Sequence, residues 1–231
     1  MTRILALVVA RSGSKRLPGK NIRPLGGKPL ILWSLDSVTG IKDICDVMIS
    51  TDDPEIALLA RNAGAYVPWL RPSALSEDAS SMVDVALHAL DFYEREHGAI
   101  DGILLLQPTS PFRTRETVLR GLNMFLKNKR SILAISEAKS HPMWCFSFEN
   151  DKLMPFIDGP GLVQRSQDLP KAYVVNGSFY LITPEELRVS KSFYNSNTMP
   201  LYTSSQMEGI DIDTEADWEM AEYHLMKKNT N

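Results

Sequence analysis

The run Ile4-Leu5-Ala6-Leu7-Val8-Val9 is apolar at every position. A strand with one wet face alternates apolar and polar residues; an unbroken run is buried on both faces, as in a parallel sheet covered by helices. Helical patterns follow. Ile31, Ser34, Leu35 and Val38 fall at i, i+3, i+4 and i+7, and Gly40 ends that segment. Val47 to Ser50 reads as a short strand. Thr51-Asp52-Asp53-Pro54 then starts a helix with Ile56, Leu59, Ala60 and Ala63 on one side. Strand and helix in alternation predict an α/β fold, a mostly parallel sheet with helices on both faces.

The rest of the chain continues that pattern with one interruption. Ala65 to Trp69 is expected as a strand. A helix from Met82 carries Val85, Ala86, Ala89 and Tyr93, with Asp78, Ser80 or Ser81 as its cap. Ile103 to Leu106 is the second strongly apolar strand, placed centrally with the first. It ends in Gln107-Pro108-Thr109-Ser110-Pro111-Phe112-Arg113, at the sheet edge where open α/β folds bind ligands. Thr114 caps a helix with Val118, Leu122 and Phe125 inward, and Ser131 to Ser136 forms a strand. From about 139 to 171 the helical period is lost. Met143–Glu149 and Leu153–Ile157 flank Asn150-Asp151-Lys152 as a hairpin, giving an inserted β-rich lobe within a single domain, 1–231. An apolar hairpin needs cover, and a subunit partner is expected to supply it. Asn176-Gly177 precedes a strand over Ser178–Ile182, and Thr183-Pro184 starts a helix. Gly209 to Asp213 reads as a strand, and Thr214 with Asp217 forms a capping box before Trp218, Ala221 and Leu225.

At 231 residues the chain suits one sizeable domain, and its 44% apolar and 23% charged residues are those of a globular protein. A net charge of −3 gives no general affinity for nucleic acid, so any anion site must come from local clustering. No segment approaches the ~20 apolar residues of a membrane helix. Arg3 before the first apolar run faintly imitates a signal peptide, but the basic loop follows at once; a cytoplasmic protein is expected. Cys45 and Cys145 match no zinc spacing and are expected as free buried thiols.

Two stretches carry chemistry. After the first strand come Arg11, Gly13, Lys15, Arg16, Gly19 and Lys20 in one loop, where exposed backbone N–H groups and fixed cations can hold phosphates. It is not the common P-loop: five residues separate Gly13 from Gly19, one too many, and Asn21 follows Lys20 where Ser or Thr is required. Near the other end, Asp211 and Asp213 leave one face of the expected strand while Ile210 and Ile212 leave the other. Such carboxylates either share a cation, for which oxygen ligands favour Mg²⁺, or cap the final helix.

Taken together, Ala10-Arg11-x-Gly13-Ser14-Lys15-x-x-Pro18-Gly19-Lys20-Asn21, Ser50-Thr51-Asp52, Leu70-Arg71-Pro72, Asp78-Ala79-Ser80-Ser81, Leu106-Gln107-Pro108-Thr109-Ser110-Pro111, Asn176-Gly177 with Tyr180, and Asp211-Ile212-Asp213-Thr214 resemble the acylneuraminate cytidylyltransferases over nearly the whole chain. The resemblance implies a Rossmann-like sheet of nucleotidyltransferase type, a homodimer whose inserted lobes exchange contacts, Mg²⁺ as cofactor, and CTP with an acidic nine-carbon sugar as substrates. It implies that Arg11, Gly13, Ser14, Lys20 and Asn21 hold the CTP phosphates, and that Arg71 and Ser81 recognise cytosine. Gln107 would lie between nucleotide and sugar, Arg165 would bind the sugar carboxylate, and Tyr180 would line the sugar pocket. Phe193 and Tyr194 would reach the neighbouring subunit's site. Asp211 and Asp213 would bind the metal, with Lys20, Arg11 and Asp211 as catalytic residues; whether Asp211 also takes the proton of the attacking hydroxyl stays open.

Two positions depart from members that use N-acetylneuraminate: Val174 stands where a basic residue is common, and Trp144 where Lys is common. A drier pocket fits a deoxygenated relative such as legionaminic or pseudaminic acid. The rival readings are a 3-deoxy-octulosonate cytidylyltransferase, which shares Arg-Leu-Pro-Gly-Lys, and a nucleotide-binding regulator without turnover.

Overall fold

A computed structural model describes residues 2–77, 79–159, 161–203 and 205–229. β1 (Ile4–Val9) leads into the basic loop, a short hairpin of β2 (Pro24–Leu25) and β3 (Lys28–Pro29), and α1 (Leu30–Val38). The hairpin is an addition to the expected loop–helix join: Gly26 and Gly27 take φ +59° and +81°, the handedness a two-residue turn between strands demands. There follow β4 (Ile44–Ser50), α2 (Pro54–Asn62), α3 (Met82–His97), β5 (Gly102–Leu106), α4 (Arg115–Asn128) and β6 (Ile132–Glu137). The chain continues through β7 (Phe146–Glu149), β8 (Lys152–Pro155), β9 (Tyr173–Ile182), α5 (Pro184–Ser190), β10 (Met199–Tyr202) and α6 (Glu215–Asn229).

Six strands make the main sheet in the order β10-β6-β9-β5-β1-β4. Every pairing is parallel except those of β9, which runs antiparallel to both β5 and β6. Alternate residues of β1 explain the layers. Ile4, Ala6 and Val8 pack with α1, α2 and α4 on one face, while Leu5 and Leu7 pack with α3 and α5 on the other. A third cluster joins Leu17, Leu25, Leu30, Ile210 and Ile212 to Trp218 of α6.

The helices begin where their capping residues place them. Asp53 accepts from the N–H groups of Glu55 and Ile56, Ser81 from Asp84, Thr114 from Thr117 and Thr183 from Glu186. Thr214 and Asp217 form the capping box reciprocally, at 3.3 and 2.8 Å. Of the three candidate caps for α3, Ser81 is the one used; Asp78 lies outside the described residues.

Several expectations are corrected. Ala65–Trp69 is no strand, only a single bridge from Tyr66 to Met48, because β4 is the sheet edge and nothing continues the ladder. Asp211–Asp213 is extended but pairs with no strand; Ile212 N donates to Thr109 O at 2.8 Å, and burial of Ile210 and Ile212 alone turns both carboxylates to one side. Asn176-Gly177 lies within β9 rather than before it. Cys45 is half-buried and Cys145 exposed, and both are free. The 139–171 segment carries its own two-stranded sheet, β7 with β8, closed by Asn150 and Asp151 at positive φ. Phe148, Leu153 and Phe156 on it are 71%, 67% and 72% exposed.

Candidate active site

β1 is paired with β4 on one side and β5 on the other, although the chain visits them in the order β1, β4, β5. The crevice at the carboxyl end of such a strand is where open α/β sheets take ligands, because loops leave in opposite directions and part there. A cleft of about 530 Å³ opens at this point, within the ~300–1,000 Å³ of small-molecule sites. Arg11, Ser14, Lys20 and Asn21 form one wall, Arg71 and Ser80 another, Gln107 and Thr109 a third, and Asp211 and Asp213 face the cations.

The two ends of the chain meet here. Lys20 is buried, and its Nζ donates to Ile212 O at 2.9 Å and to Asp213 Oδ1 at 2.7 Å. Arg16 donates to the other oxygen of Asp213. Beneath them Leu17 and Ile212 share the cluster that holds Trp218, so apolar packing below sets the ion pairs above. Arg23 reinforces the join with a two-pronged pair to Glu215, both contacts 2.7 Å, and lies over the Trp218 ring. Asn21 braces the loop from within, its Nδ2 donating to Arg11 O at 3.2 Å.

Asp211 does not share in those ion pairs. Crowding by the protein pushes its carboxyl up from the ordinary aspartate value; the Thr109 hydroxyl and Lys20 oppose the shift, while Asp213 adds to it. A carboxyl so placed gains from any cation brought beside it and also holds a proton more readily. Tyr180 stands near enough for the Asp211 charge to add to the burial that raises its phenol.

On the opposite wall Arg71 is buried, and burial lowers its pKa against the support of Asp52. Its guanidinium donates to Ser50 O and Asp52 Oδ1, each at 3.4 Å, and to Ser76 Oγ at 3.1 Å. Asp52 also accepts from Ser12 N at 3.1 Å and Ser12 Oγ at 2.7 Å. These bonds outweigh desolvation and hold its carboxyl below the usual range. One aspartate thus ties the phosphate-type loop to the Arg71 wall. The sequence marks Asp52 through the Ser50-Thr51-Asp52 motif and a helix start, but its partners Ser12 and Arg71 are visible only in the fold.

Gly13 does not line the cleft. Ser80 lines the cleft and Ser81 does not; the Ser81 hydroxyl caps α3 and meets Asp84 Oδ2, and that of Ser80 donates to Ala74 O at 3.1 Å. Arg165 is exposed on the lobe, away from this cleft. Phe193 is buried edge-on to Tyr180 in the core of its own chain, whereas Tyr194 is exposed. Arg113, which no motif singled out, is wholly buried behind Gln107, and burial lowers its pKa to about 9 against the support of Glu208. Among the described residues no group of three or more His, Cys, Asp or Glu side chains could hold a metal by itself.

The sequence model of the cytidylyltransferase family matches residues 5–222. The chain belongs to that family. This cytidylyltransferase is 39% identical to the CMP-N,N'-diacetyllegionaminic acid synthase of Legionella pneumophila, over 98% of this chain and 97% of that one. It is 29% identical to the pseudaminic acid cytidylyltransferase of Campylobacter jejuni, over 94% of each. Its fold is also that of a CMP:2-keto-3-deoxy-manno-octonic acid synthetase solved with CTP, at TM-score 0.71 and 16% identity, covering 98% of this cytidylyltransferase and all of that chain.

Proposed function

We propose that the protein transfers the cytidylyl group of CTP to the 2-hydroxyl of a free nonulosonic acid of legionaminic type, forming the CMP-sugar and pyrophosphate. The observation that carries this reading is the meeting of Lys20 with Asp211 and Asp213 around one cleft. The Legionella and Campylobacter relatives are named for sugars of this class, and Val174, half-exposed at the start of β9, stands at a position where members that use N-acetylneuraminate commonly carry a base.

In the proposed reaction the hydroxyl oxygen attacks the α-phosphorus, the bond to the β-phosphate oxygen breaks, and pyrophosphate leaves. Lys20 and Arg11 bring fixed positive charge to the triphosphate, and Ser14 and the loop amides orient it. Arg71, held rigid by Asp52, shapes the base wall. Gln107 stands between nucleotide and sugar. Asp211 would accept the hydroxyl proton. A magnesium ion fits the donor set: Asp211 offers a desolvated carboxylate that a cation would relieve, Asp213 beside it would exchange Arg16 for the ion, and phosphate oxygens and water would supply the other ligands. When bound, the ion neutralises phosphate charge.

The exposed apolar face of the lobe supports a homodimer, and Arg165 on that lobe would then bind the sugar carboxylate in the neighbour's cleft. The deciding experiment measures pyrophosphate release with CTP, UTP, ATP and GTP across a panel of acidic sugars. Turnover is expected with CTP and legionaminic-type acids. A requirement for UTP, or use of the eight-carbon octulosonate alone, would overturn the proposal.

A further inference from the structure

Between Leu133 and Ile135 of β6, the partner on β9 jumps from Tyr180 to Val175. The surplus is taken up as a bulge at Asn176-Gly177. Asn176 Oδ1 accepts from Ser178 N at 3.1 Å and Ser178 Oγ at 2.8 Å, and Asn176 Nδ2 donates to Ser136 Oγ at 2.8 Å. Gly177 takes φ +75°. Asn closes the turn with its side chain, and Gly accepts a left-handed backbone that a Cβ makes costly.

The bulge faces the end of β5. A Cβ on Gly177 would lie 2.2 Å from Gln107 Oε1 and 3.0 Å from Ser110 Oγ, so the Gln107 amide occupies space that another residue would fill. The backbone of Gln107 is clamped separately. Its carbonyl accepts from Arg113 Nη2 at 2.9 Å and from Ser34 Oγ at 3.4 Å. Arg113 Nε donates to Ser178 O, next to Gly177, so one guanidinium joins the Gln107 backbone to the bulge on which its side chain rests. Among the described residues Gln107 Nε2 has Met82 Sδ as its partner, at 3.6 Å, a weak acceptor that a ligand can replace.

We propose that Gly177 and Arg113 are positioning residues for the Gln107 amide, and that the β9 bulge sets the direction in which this amide meets the substrate. The proposal rests on the reading of Gln107 as a substrate contact, yet the positioning is measurable without substrate. In the ¹⁵N-labelled full-length protein, the Gln107 side-chain amide pair is the one missing from Gln107→Ala. Gly177→Ala should shift that pair and lower kcat/KM for the sugar by about 100-fold, the scale of a misplacement of about 1 Å. The double variant Gly177→Ala/Gln107→Ala should melt below Gln107→Ala, because the left-handed backbone and Ser110 Oγ still oppose the methyl, but should show the same kcat/KM, since the amide that the methyl displaces is gone.

Arg113→Lys keeps the charge but loses the planar fork, and should shift the same pair. It serves where Gly177→Ala does not fold. Additive losses of kcat/KM in the double variant, or an unmoved amide pair in whichever variant folds, overturn the proposal. A shifted pair with Gln107→Ala at full turnover upholds the positioning and removes the substrate role instead.

Discussion

Replacing Lys20 by methionine keeps most of the side chain's length and removes its charge and donors. Two contacts go, to Ile212 O and to Asp213 Oδ1. Ile212 is fully buried, and its carbonyl left without this donor costs about 1–3 kcal/mol. Asp213 is 32% exposed and keeps Arg16, so its share is about 0–1 kcal/mol. The sum lies below the roughly 5–15 kcal/mol by which domains are stable, so the variant folds. Each kcal/mol should lower Tm by about 2–4 °C in a chain this size. Turnover should fall far more. Removing a fixed donor aimed at developing charge costs about 100- to 1,000-fold, near 2.7–4 kcal/mol of barrier. Pyrophosphate release at 25 °C, beside a denaturant melt of the same sample, separates the two effects. A folded Lys20→Met variant with kcat/KM for CTP within about threefold of the parent, well short of the loss expected for such a donor, would refute the reasoning.

Other outcomes follow from burial and charge. Asp211 ionises less readily when folded, so stability should fall as pH rises from the ordinary aspartate value of 3.8 through its raised pKa. Asp211→Asn should therefore melt above the parent at neutral pH and converge with it in acid; coincident Tm curves at all pH would contradict this. Phe193→Ala should cost about 3–5 kcal/mol in denaturant melts. Tyr194→Ala on the surface should stay within about 0.5 kcal/mol, and equal losses would mean Phe193 is not core. A Cβ at Gly121 would meet Phe179 Cζ at 2.5 Å and Leu201 Cδ2 at 2.9 Å. Despite better helix propensity, Gly121→Ala should lose about 1–3 kcal/mol, and a gain in midpoint would count against it.

What could be read from the sequence was local. β1 announces its burial on both faces, and Asp53, Thr114, Thr183 and Thr214 announce their helices, because each signal needs only near neighbours. Asp211 and Asp213 were legible for a related reason: the alternation with Ile210 and Ile212 decides their side even without a strand. Long-range partners decided the rest. Asp52 gains its role from Ser12 and Arg71, and Phe193 is removed from the surface by Tyr180 across the fold. Arg113 is in the sequence only the last residue of the loop after β5, and its burial depends on the distant bulge of β9.

All six main strands are finished by Tyr202, yet the carboxylates facing Lys20 come only at Asp211 and Asp213. During synthesis the loop with Lys20 therefore waits for its counter-charge until the sheet is complete and the last helix has emerged to seat Trp218. A product interrupted between those points would own every strand of the scaffold and still lack the means to grip nucleotide. Translation past Asp213 and Trp218 is thus a condition of activity.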